Sequence, residues 1–227
     1  MDKNSSARNG TIDILRFVGL SLIILAHVSP PDLLFNLRCF DVPMMLFVSG
    51  LAYSNHRIDF SASFLVRRTL RLIVPVYVFL TAYFLLTAGL KYFAGIDFGI
   101  AARHIVGSYL LMDGIGFVWI IRIFLLIALL TPVLMRFERA VHSDVALCLM
   151  LAGVSALLTA AIRMRWGMNI AILRDFVYYA VGYSVPFVAG LRVLPMKGRR
   201  LKRFFLFTVV AVLLCGIEIG GANTHFP

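Results

Sequence analysis

Three ionisable side chains interrupt the first apolar stretch of the chain, residues 12–30, at a spacing that places them on one face of a helix. Arg16 and His27 are eleven residues apart, which on an α-helix separates them by roughly 20° around the axis. Asp13 lies one turn before Arg16, where a carboxylate and a guanidinium can pair. The helical rise places His27 about 16 Å further along the axis. The stretch therefore combines an ion pair at one end with an imidazole, a group suited to proton transfer near neutral pH, at the other.

Ionisable groups are costly at membrane depth, and this stripe has two interpretations. In the first, Asp13, Arg16 and His27 face the protein interior or a polar cavity and line a route across the membrane. In the second, Asp13 and Arg16 extend to the cytoplasmic headgroups, and His27 sits in the outer interface beside Ser29 and Pro30. Three such groups on one stripe favour the first interpretation, because ionisable residues inside a membrane usually serve a function.

The composition is that of a membrane protein with several spans. Of the 227 residues, 61% are hydrophobic and 15% are charged, and the mean hydropathy is +0.91. These values exclude an ordinary soluble domain. The formal net charge of +11 is typical of Lys- and Arg-rich cytoplasmic loops, so we expect no nucleic-acid partner. The isolated positions of Cys39, Cys148 and Cys215 predict neither a metal site nor a disulfide framework.

Hydropathy predicts an all-α polytopic membrane bundle that occupies the whole chain, residues 1–227, as a single domain. A span needs about 20 mostly apolar residues, and the sequence offers seven such segments: 11–29, 40–55, 70–90, 115–135, 144–162, 174–193 and 204–222. The first lacks a small-residue cleavage site, which indicates a retained span and not a signal peptide. The second is short and bounded by Pro43, so we expect it to be tilted or partly re-entrant. Pro75 in the third and Pro132 at the end of the fourth should kink or terminate their helices.

The loops predict which side of the membrane faces the cytoplasm. With a cytoplasmic N-terminus, 14 Lys and Arg residues lie on the inner side and six on the outer side, which is the asymmetry that the positive-inside rule requires. The inner set is Lys3, Arg8, Arg57, Arg67, Arg68, Arg71, Arg136, Arg139, Arg192, Lys197, Arg199, Arg200, Lys202 and Arg203. The outer set is Arg38, Lys91, Arg103, Arg163, Arg165 and Arg174.

A longer pattern extends from the polar stripe. Ten residues separate Arg16 from His27. The short second segment carries FVSG at residues 47–50. The sequence FLVRRTLRLIVPVY then places Arg68 and Arg71 in an R-x-x-R arrangement before the third span. This pattern resembles the membrane-bound acyltransferase-3 family. The opening GTIDILRF…AH matches the opening of that family, and DVPMMLFVSGLAYS looks like the branch that modifies fucose and exopolysaccharides. The likeness covers about residues 10–80, and a weaker one lies in the aromatic cluster at residues 117–119.

The resemblance implies a multi-pass protein of the bacterial inner membrane that O-acylates, most simply O-acetylates, a polysaccharide or lipopolysaccharide. The donor would be cytoplasmic acyl-CoA, with acetyl-CoA the simplest case, used as a substrate and without a bound cofactor or metal. The acceptor would be a glycan or lipid-linked saccharide at the outer face, and membrane lipid would be the remaining partner. The implied catalytic set is His27, Arg16 and Asp13. The implied acyl-CoA set is Arg68, Arg71, Ser49 and Gly50.

The chemistry of these residues fits the implied roles. A neutral imidazole at His27 can take the proton from a hydroxyl as that hydroxyl attacks a thioester carbonyl. Arg16 lies too far along the helix to assist, so it and Asp13 would organise the channel or hold the donor. Guanidinium forks at Arg68 and Arg71 can hold CoA phosphates bidentately. Arginines beside a span otherwise set topology and contact lipid headgroups, which is the alternative for this pair.

Other polar positions carry weaker signals. Ser49 and Gly50 also fit close helix packing. Arg122 follows Trp119 by one turn, so it is either buried beside a partner such as Glu218 or extended to the interface. An aromatic belt or a sugar-stacking surface is predicted for Tyr178, Tyr179 and Tyr183.

Two alternatives to an active acyltransferase follow from the chain as a whole. Members of the family usually have a longer chain with more spans, so we expect C-terminal spans to be missing here, which makes an inactive remnant one alternative. The other is a transporter or flippase whose substrate follows the charged stripe. Transporters often show internal repeats, and no self-similarity is evident between the two halves of this sequence.

Overall fold

The computed structural model describes residues 10–28, 40–54, 62–112, 115, 118–166, 169–170 and 173–193, and every regular element in them is helical. The elements are α1 (Gly10–His27), α2 (Asp41–Ser54), α3 (Ala62–Ala94), α4 (Ala102–Tyr109), α5 (Trp119–Ala140), α6 (Asp144–Arg163), a π-helix (Leu173–Tyr178) and α7 (Tyr179–Val193). The prediction of an all-helical membrane protein is thereby confirmed.

Four helices in the described part of the chain are long and apolar enough to cross a membrane. They are Ser63–Ala94, Trp119–Ala140, Asp144–Arg163 and Phe176–Val193. These helices coincide with the third to sixth predicted spans, α1 covers the first, and the seventh, 204–222, lies outside the described residues. Apolar side chains on α3 point outward, with Phe79 62% and Leu85 69% exposed, as lipid-facing positions require.

The second predicted span forms a helix that is shorter than the others. α2 has 14 residues, which gives it a length of about 21 Å, whereas the hydrocarbon layer is about 30 Å thick. The expectation of a short second segment is therefore confirmed. The helix by itself is not long enough to cross the layer.

The structure adds detail at three places. Of the two outcomes predicted for Pro132, a kink or an end of the helix, the second does not occur, since α5 continues to Ala140. Arg68 and Arg71, predicted just before the third span, lie within its helix, because α3 begins at Ala62. The helix α4, in the segment expected to be an outer loop, was not predicted at all.

The helices are grouped into two compact units, each built from several parts of the chain. The first unit is Met1–Arg57, Met135–Trp166 and Val181–Pro227, and the second is Ile58–Leu134 and Gly167–Ala180.

In the first unit, α1 lies along α2. The buried residues Ile12, Val48 and Leu51 form a cluster between the two helices, and Gly19 on α1 lets the Met45 side chain of α2 approach the backbone closely. The apolar packing of α2 therefore fixes the position of the helix that carries Asp13.

On another side, α2 contacts α7 through glycines. A Cβ atom at Gly50 would collide with the backbone oxygen of Phe187, and one at Gly190 would collide with the backbone oxygen of Phe47. The two helices thus cross with backbone against backbone, in the arrangement that small residues permit between membrane helices. Tyr53 of α2 also packs edge-on against Phe187 of α7, with ring centroids 5.8 Å apart.

A three-residue ion network joins the end of α7 to the turn between α5 and α6, also within the first unit. Arg192 donates from Nη1 to Glu138 Oε1 at 2.6 Å and from Nε to Asp144 Oδ1 at 3.0 Å, and Nη2 donates to the Val141 carbonyl. The three charged side chains are only 13–17% exposed. Ion pairs contribute most when, as here, several charge-assisted hydrogen bonds form a network that is shielded from water.

In the second unit, α4 is held against α3 by tyrosines. The Tyr77 hydroxyl donates to the Tyr109 carbonyl at 2.7 Å, and the Tyr109 hydroxyl lies 2.7 Å from Thr81 Oγ1. Leu80 and Leu111 are buried beneath this contact. These tertiary bonds explain why a short helix forms in a segment whose hydropathy gave no sign of it.

The linker between α3 and α4 turns back on the end of α3. Gly95 takes φ +69°, the left-handed conformation that glycine supplies directly after a helix. Lys91 Nζ then reaches Asp97 at 2.7 Å. The hydrogen bond from Lys91, helped by the Gly99 backbone N–H, lowers the pKa of Asp97. The contact is accordingly present at neutral pH and is lost only as the pH falls through that lowered pKa.

The glycine crossing predicts the effect of one added methyl group. Gly190→Ala should force α2 and α7 apart and reduce the free energy of unfolding by about 1–3 kcal/mol. Gly153→Ala on α6 is the matched control, because a Cβ there meets nothing within 4 Å, and the change should be neutral or stabilising by up to about 1 kcal/mol. Unfolding of the detergent-solubilised variants, followed by circular dichroism, measures both. Equal stability of the two variants would contradict the close crossing.

Candidate functional site

The ion pair predicted on the first helix is formed. Arg16 Nη1 lies 3.7 Å from Asp13 Oδ1, across one turn of α1. The Arg16 side chain is 50% exposed and that of Asp13 is 33% exposed. The described residues therefore do not enclose the pair, in contrast to the expectation that the stripe faces the protein interior. An exposed pair of this kind retains access to water, to lipid headgroups or to a ligand.

His27 is the last residue of the same helix. Because α1 is continuous from Gly10 to His27, the backbone separates His27 from Arg16 by eleven helical residues, or about 16 Å. The imidazole itself lies outside the described part of the structure. The role of His27 remains a prediction that rests on its position at the opposite end of α1 from the ion pair.

Ser49 and Gly50 are used for packing in the described structure. The Ser49 hydroxyl donates to the Met45 carbonyl at 2.9 Å, within its own helix. Gly50 is buried at the crossing with α7. Both observations support the packing interpretation of the FVSG sequence, and a direct contact of these two residues with acyl-CoA remains a prediction.

The arginines of the R-x-x-R sequence lie in the first three turns of α3, in the second unit. Arg71 is exposed and Arg68 is half-buried. The neighbouring Arg67 is bound to its own helix, since its Nε donates to the Ser63 carbonyl at 3.2 Å. No acidic residue lies in the first turn of α3, and the helix N-terminus adds its own positive partial charge. The beginning of α3 is accordingly a strongly positive surface suited to phosphate groups.

Arg122 is the most deeply buried arginine in the described chain, at 5% exposure. Its guanidinium carbon lies 5.4 Å from the ring centroid of Phe176 and 5.6 Å from that of Tyr179. Trp119 stacks on Tyr179, with centroids 5.9 Å apart and an interplanar angle of 28°. All four residues belong to the second unit. Sequence reasoning noted the spacing of Trp119 and Arg122, but nothing in it connected them with residues 176–179.

The hydrogen bonds of Arg122 are incomplete. Nη1 donates to Met112 Sδ at 3.1 Å, and sulfur is a weak acceptor. Nε is buried without a hydrogen-bond partner among the described residues. Glu218, the partner suggested by the sequence, lies outside those residues, and no carboxylate in the described structure pairs with Arg122.

The described residues bring together Asp13 with Arg16 on α1, and Arg68 with Arg71 on α3. These two pairs belong to different compact units. In the ranges that the structure describes, no three His, Cys, Asp or Glu side chains are grouped in a way that could hold a metal ion.

The comparisons with known proteins identify one family. The family model for an acyltransferase domain, acyltransferase family 3, matches residues 9–225, which is nearly the whole chain. Neither curated proteins nor solved structures gave a significant match. The match includes the polar stripe of α1, the FVSG helix and the arginines of α3. The chain therefore belongs to acyltransferase family 3, and its class of activity is acyl transfer.

Proposed function

We propose that this membrane acyltransferase moves an acyl group, most simply acetyl, from cytoplasmic acyl-CoA to a hydroxyl of a cell-surface glycan or lipid-linked saccharide in the bacterial inner membrane. The observation that carries the proposal is the continuous helix α1, which has the Asp13–Arg16 ion pair near its beginning and His27 as its last residue. A helix of 18 residues extends about 27 Å, close to the hydrocarbon thickness of about 30 Å, so its two ends lie near opposite sides of the layer. Family membership favours this enzyme over a transporter.

The proposed reaction is a direct transfer. His27 takes the proton of the acceptor hydroxyl as its oxygen attacks the thioester carbonyl, and the C–S bond then breaks. The proton returns from the imidazole to the leaving CoA thiolate, which leaves an ester on the glycan and free CoA. No metal or redox partner is needed for this balance of atoms and electrons.

The proposed donor site is the positive surface at the beginning of α3. CoA carries several phosphates, and the guanidiniums of Arg68 and Arg71 offer planar pairs of N–H donors that match phosphate oxygens. For Asp13 and Arg16, in the first unit, the proposed role is to organise the channel or hold the donor. Ser49 and Gly50 contribute to the packing of α2 within that unit and are also retained as candidate contacts for acyl-CoA.

The proposed orientation, with a cytoplasmic N-terminus, rests on the asymmetry of Lys and Arg between the loops. The bonds from Arg192 to Glu138 and Asp144 agree with the proposed order of the spans, because that order places the turn between α5 and α6 and the end of α7 on the same side. This agreement holds for either orientation.

Substitution of His27 tests the proposed general base. His27→Ala should reduce glycan acylation by roughly 10²–10⁴-fold, which is the usual contribution of such a group, and should leave membrane insertion unchanged. His142→Ala is the control, because His142 is exposed in the linker before α6. Acylation is measured as transfer of radiolabelled acetate to glycan in membranes that contain equal amounts of each variant. Activity near the wild-type level in His27→Ala would eliminate the imidazole as the base.

Replacement of arginine by lysine separates phosphate binding from topology at α3. The double variant Arg68→Lys/Arg71→Lys keeps both charges but loses the paired donors, so we expect the KM for acyl-CoA to rise about tenfold or more while insertion stays normal. The matched control is Arg136→Lys/Arg139→Lys, an exposed pair with the same spacing on α5, and it should leave the KM unchanged. A purely topological role predicts the same KM in both double variants.

Cysteine labelling tests the orientation in a variant that lacks Cys39, Cys148 and Cys215. Phe98→Cys lies in the exposed linker after α3, and His142→Cys lies in the exposed linker before α6. A membrane-impermeant maleimide should label position 98 in intact cells and position 142 only after permeabilisation. The reverse result would invert the topology and move the arginines of α3 away from the cytoplasm.

A further inference from the structure

The positive charge of Arg122 is buried without an opposite charge beside it among the described residues. A guanidinium at 5% exposure has lost most of its hydration, and that loss is costly unless hydrogen bonds or an opposite charge replace the water. Two aromatic rings and a thioether replace part of it. The charge itself is not neutralised by any described residue. An arginine kept in such a position indicates that an anion from outside the described residues completes the site.

The geometry shows which part of the guanidinium is left for that anion. The guanidinium carbon lies over the rings of Phe176 and Tyr179, whose faces attract the cation. Nη1 is directed to Met112. The remaining edge carries Nε and Nη2, and Nε has no partner among the described residues. This edge presents two parallel N–H groups to the two oxygens of one phosphate or carboxylate.

We propose that Arg122 binds an oxyanion carried by the acceptor, so that the enzyme acts on an acidic or phosphorylated saccharide. That the ligand is the acceptor rests on the proposed function, whereas the existence of an oxyanion site does not. With a cytoplasmic N-terminus, α5 begins on the outer side, and Arg122 lies one turn inside its first residue, Trp119. Trp119, which stacks on Tyr179, adds an aromatic ring beside this site, and sugar rings stack on such rings. The π-helix that presents Phe176 is an element often found at functional sites.

Two sources can supply the same oxyanion chemistry: the phosphate of a lipid-linked saccharide and the carboxylate of an acidic sugar. Trp119 offers a direct way to distinguish them, because the chain contains two tryptophans and Trp166→Phe leaves Trp119 as the sole reporter. This variant, in nanodiscs of phosphatidylcholine, is titrated with farnesyl phosphate against farnesol and with glucuronate against glucose. We expect a saturable change in Trp119 emission with one of the two anions and none with its neutral counterpart. The anion that responds identifies the source.

Variants of Arg122 decide whether the response belongs to this guanidinium. Arg122→Met should abolish it, Arg122→Lys should weaken the apparent affinity about tenfold by removing the paired donors, and the exposed Arg139→Met on the same helix should leave it unchanged. The proposal is overturned by an equal response in Arg122→Met, and also by the absence of a saturable response to either anion.

An internal carboxylate is the remaining rival, and stability distinguishes it. Removing one partner of a buried ion pair is strongly destabilising, whereas replacing an orphan charge by an apolar side chain is not. We therefore expect Arg122→Met to melt at or above the wild-type temperature in detergent. The proposal is overturned if Arg122→Met clearly lowers the melting temperature, if Asp175→Asn or Glu218→Gln lowers it equally, and if combining that change with Arg122→Met lowers it no further. The anion would then be a carboxylate of the chain itself. His27→Ala should bind the probes normally, so failure of the acyl-transfer mechanism and failure of this site give different results.

Discussion

The cost of placing a guanidinium beside hydrocarbon is the constraint on which the arrangement of this protein depends. Three arginines of the described structure offset this cost in different ways. Arg16 uses a carboxylate one turn away on its own helix and stays half exposed. Arg192 uses two carboxylates and a carbonyl from a neighbouring turn. Arg122 has only aromatic faces and a sulfur atom in the described structure. Among the described residues, the charge of Arg192 is therefore offset more completely than that of Arg16 or Arg122.

The short helix α2 determines where the ion pair of α1 stands. One side of α2 packs on α1 through Val48 and Leu51, and the other crosses α7 through Gly50. Gly50 belongs to the sequence that carries the family resemblance, yet its visible role is to let two backbones meet. A family motif in a membrane enzyme can thus preserve the position of a reactive helix without touching the substrate.

The sequence was sufficient for those features that depend on local pattern. Hydropathy located the helices, and the three-residue spacing predicted the Asp13–Arg16 pair, because both are properties of a single segment. Helix α4 depends on tyrosines of α3, and the surroundings of Arg122 depend on residues more than 50 positions later in the chain. No local pattern contains such tertiary contacts. The sequence also left open whether Pro132 kinks or ends its helix, and the bounds of α5 exclude an end there, since prolines are tolerated inside membrane helices where neighbouring groups satisfy the freed backbone.

The network at Arg192 also has a consequence for the order in which the protein is assembled. Arg192 follows Asp144 by 48 residues and Glu138 by 54. At a synthesis rate of about 5–20 residues per second, the ribosome needs roughly 2–11 s to reach it after those acids have been made. Throughout that interval the turn between α5 and α6 carries both carboxylates without this arginine. The first unit therefore gains this charge contact late in biosynthesis, when the end of α7 docks against the turn between α5 and α6.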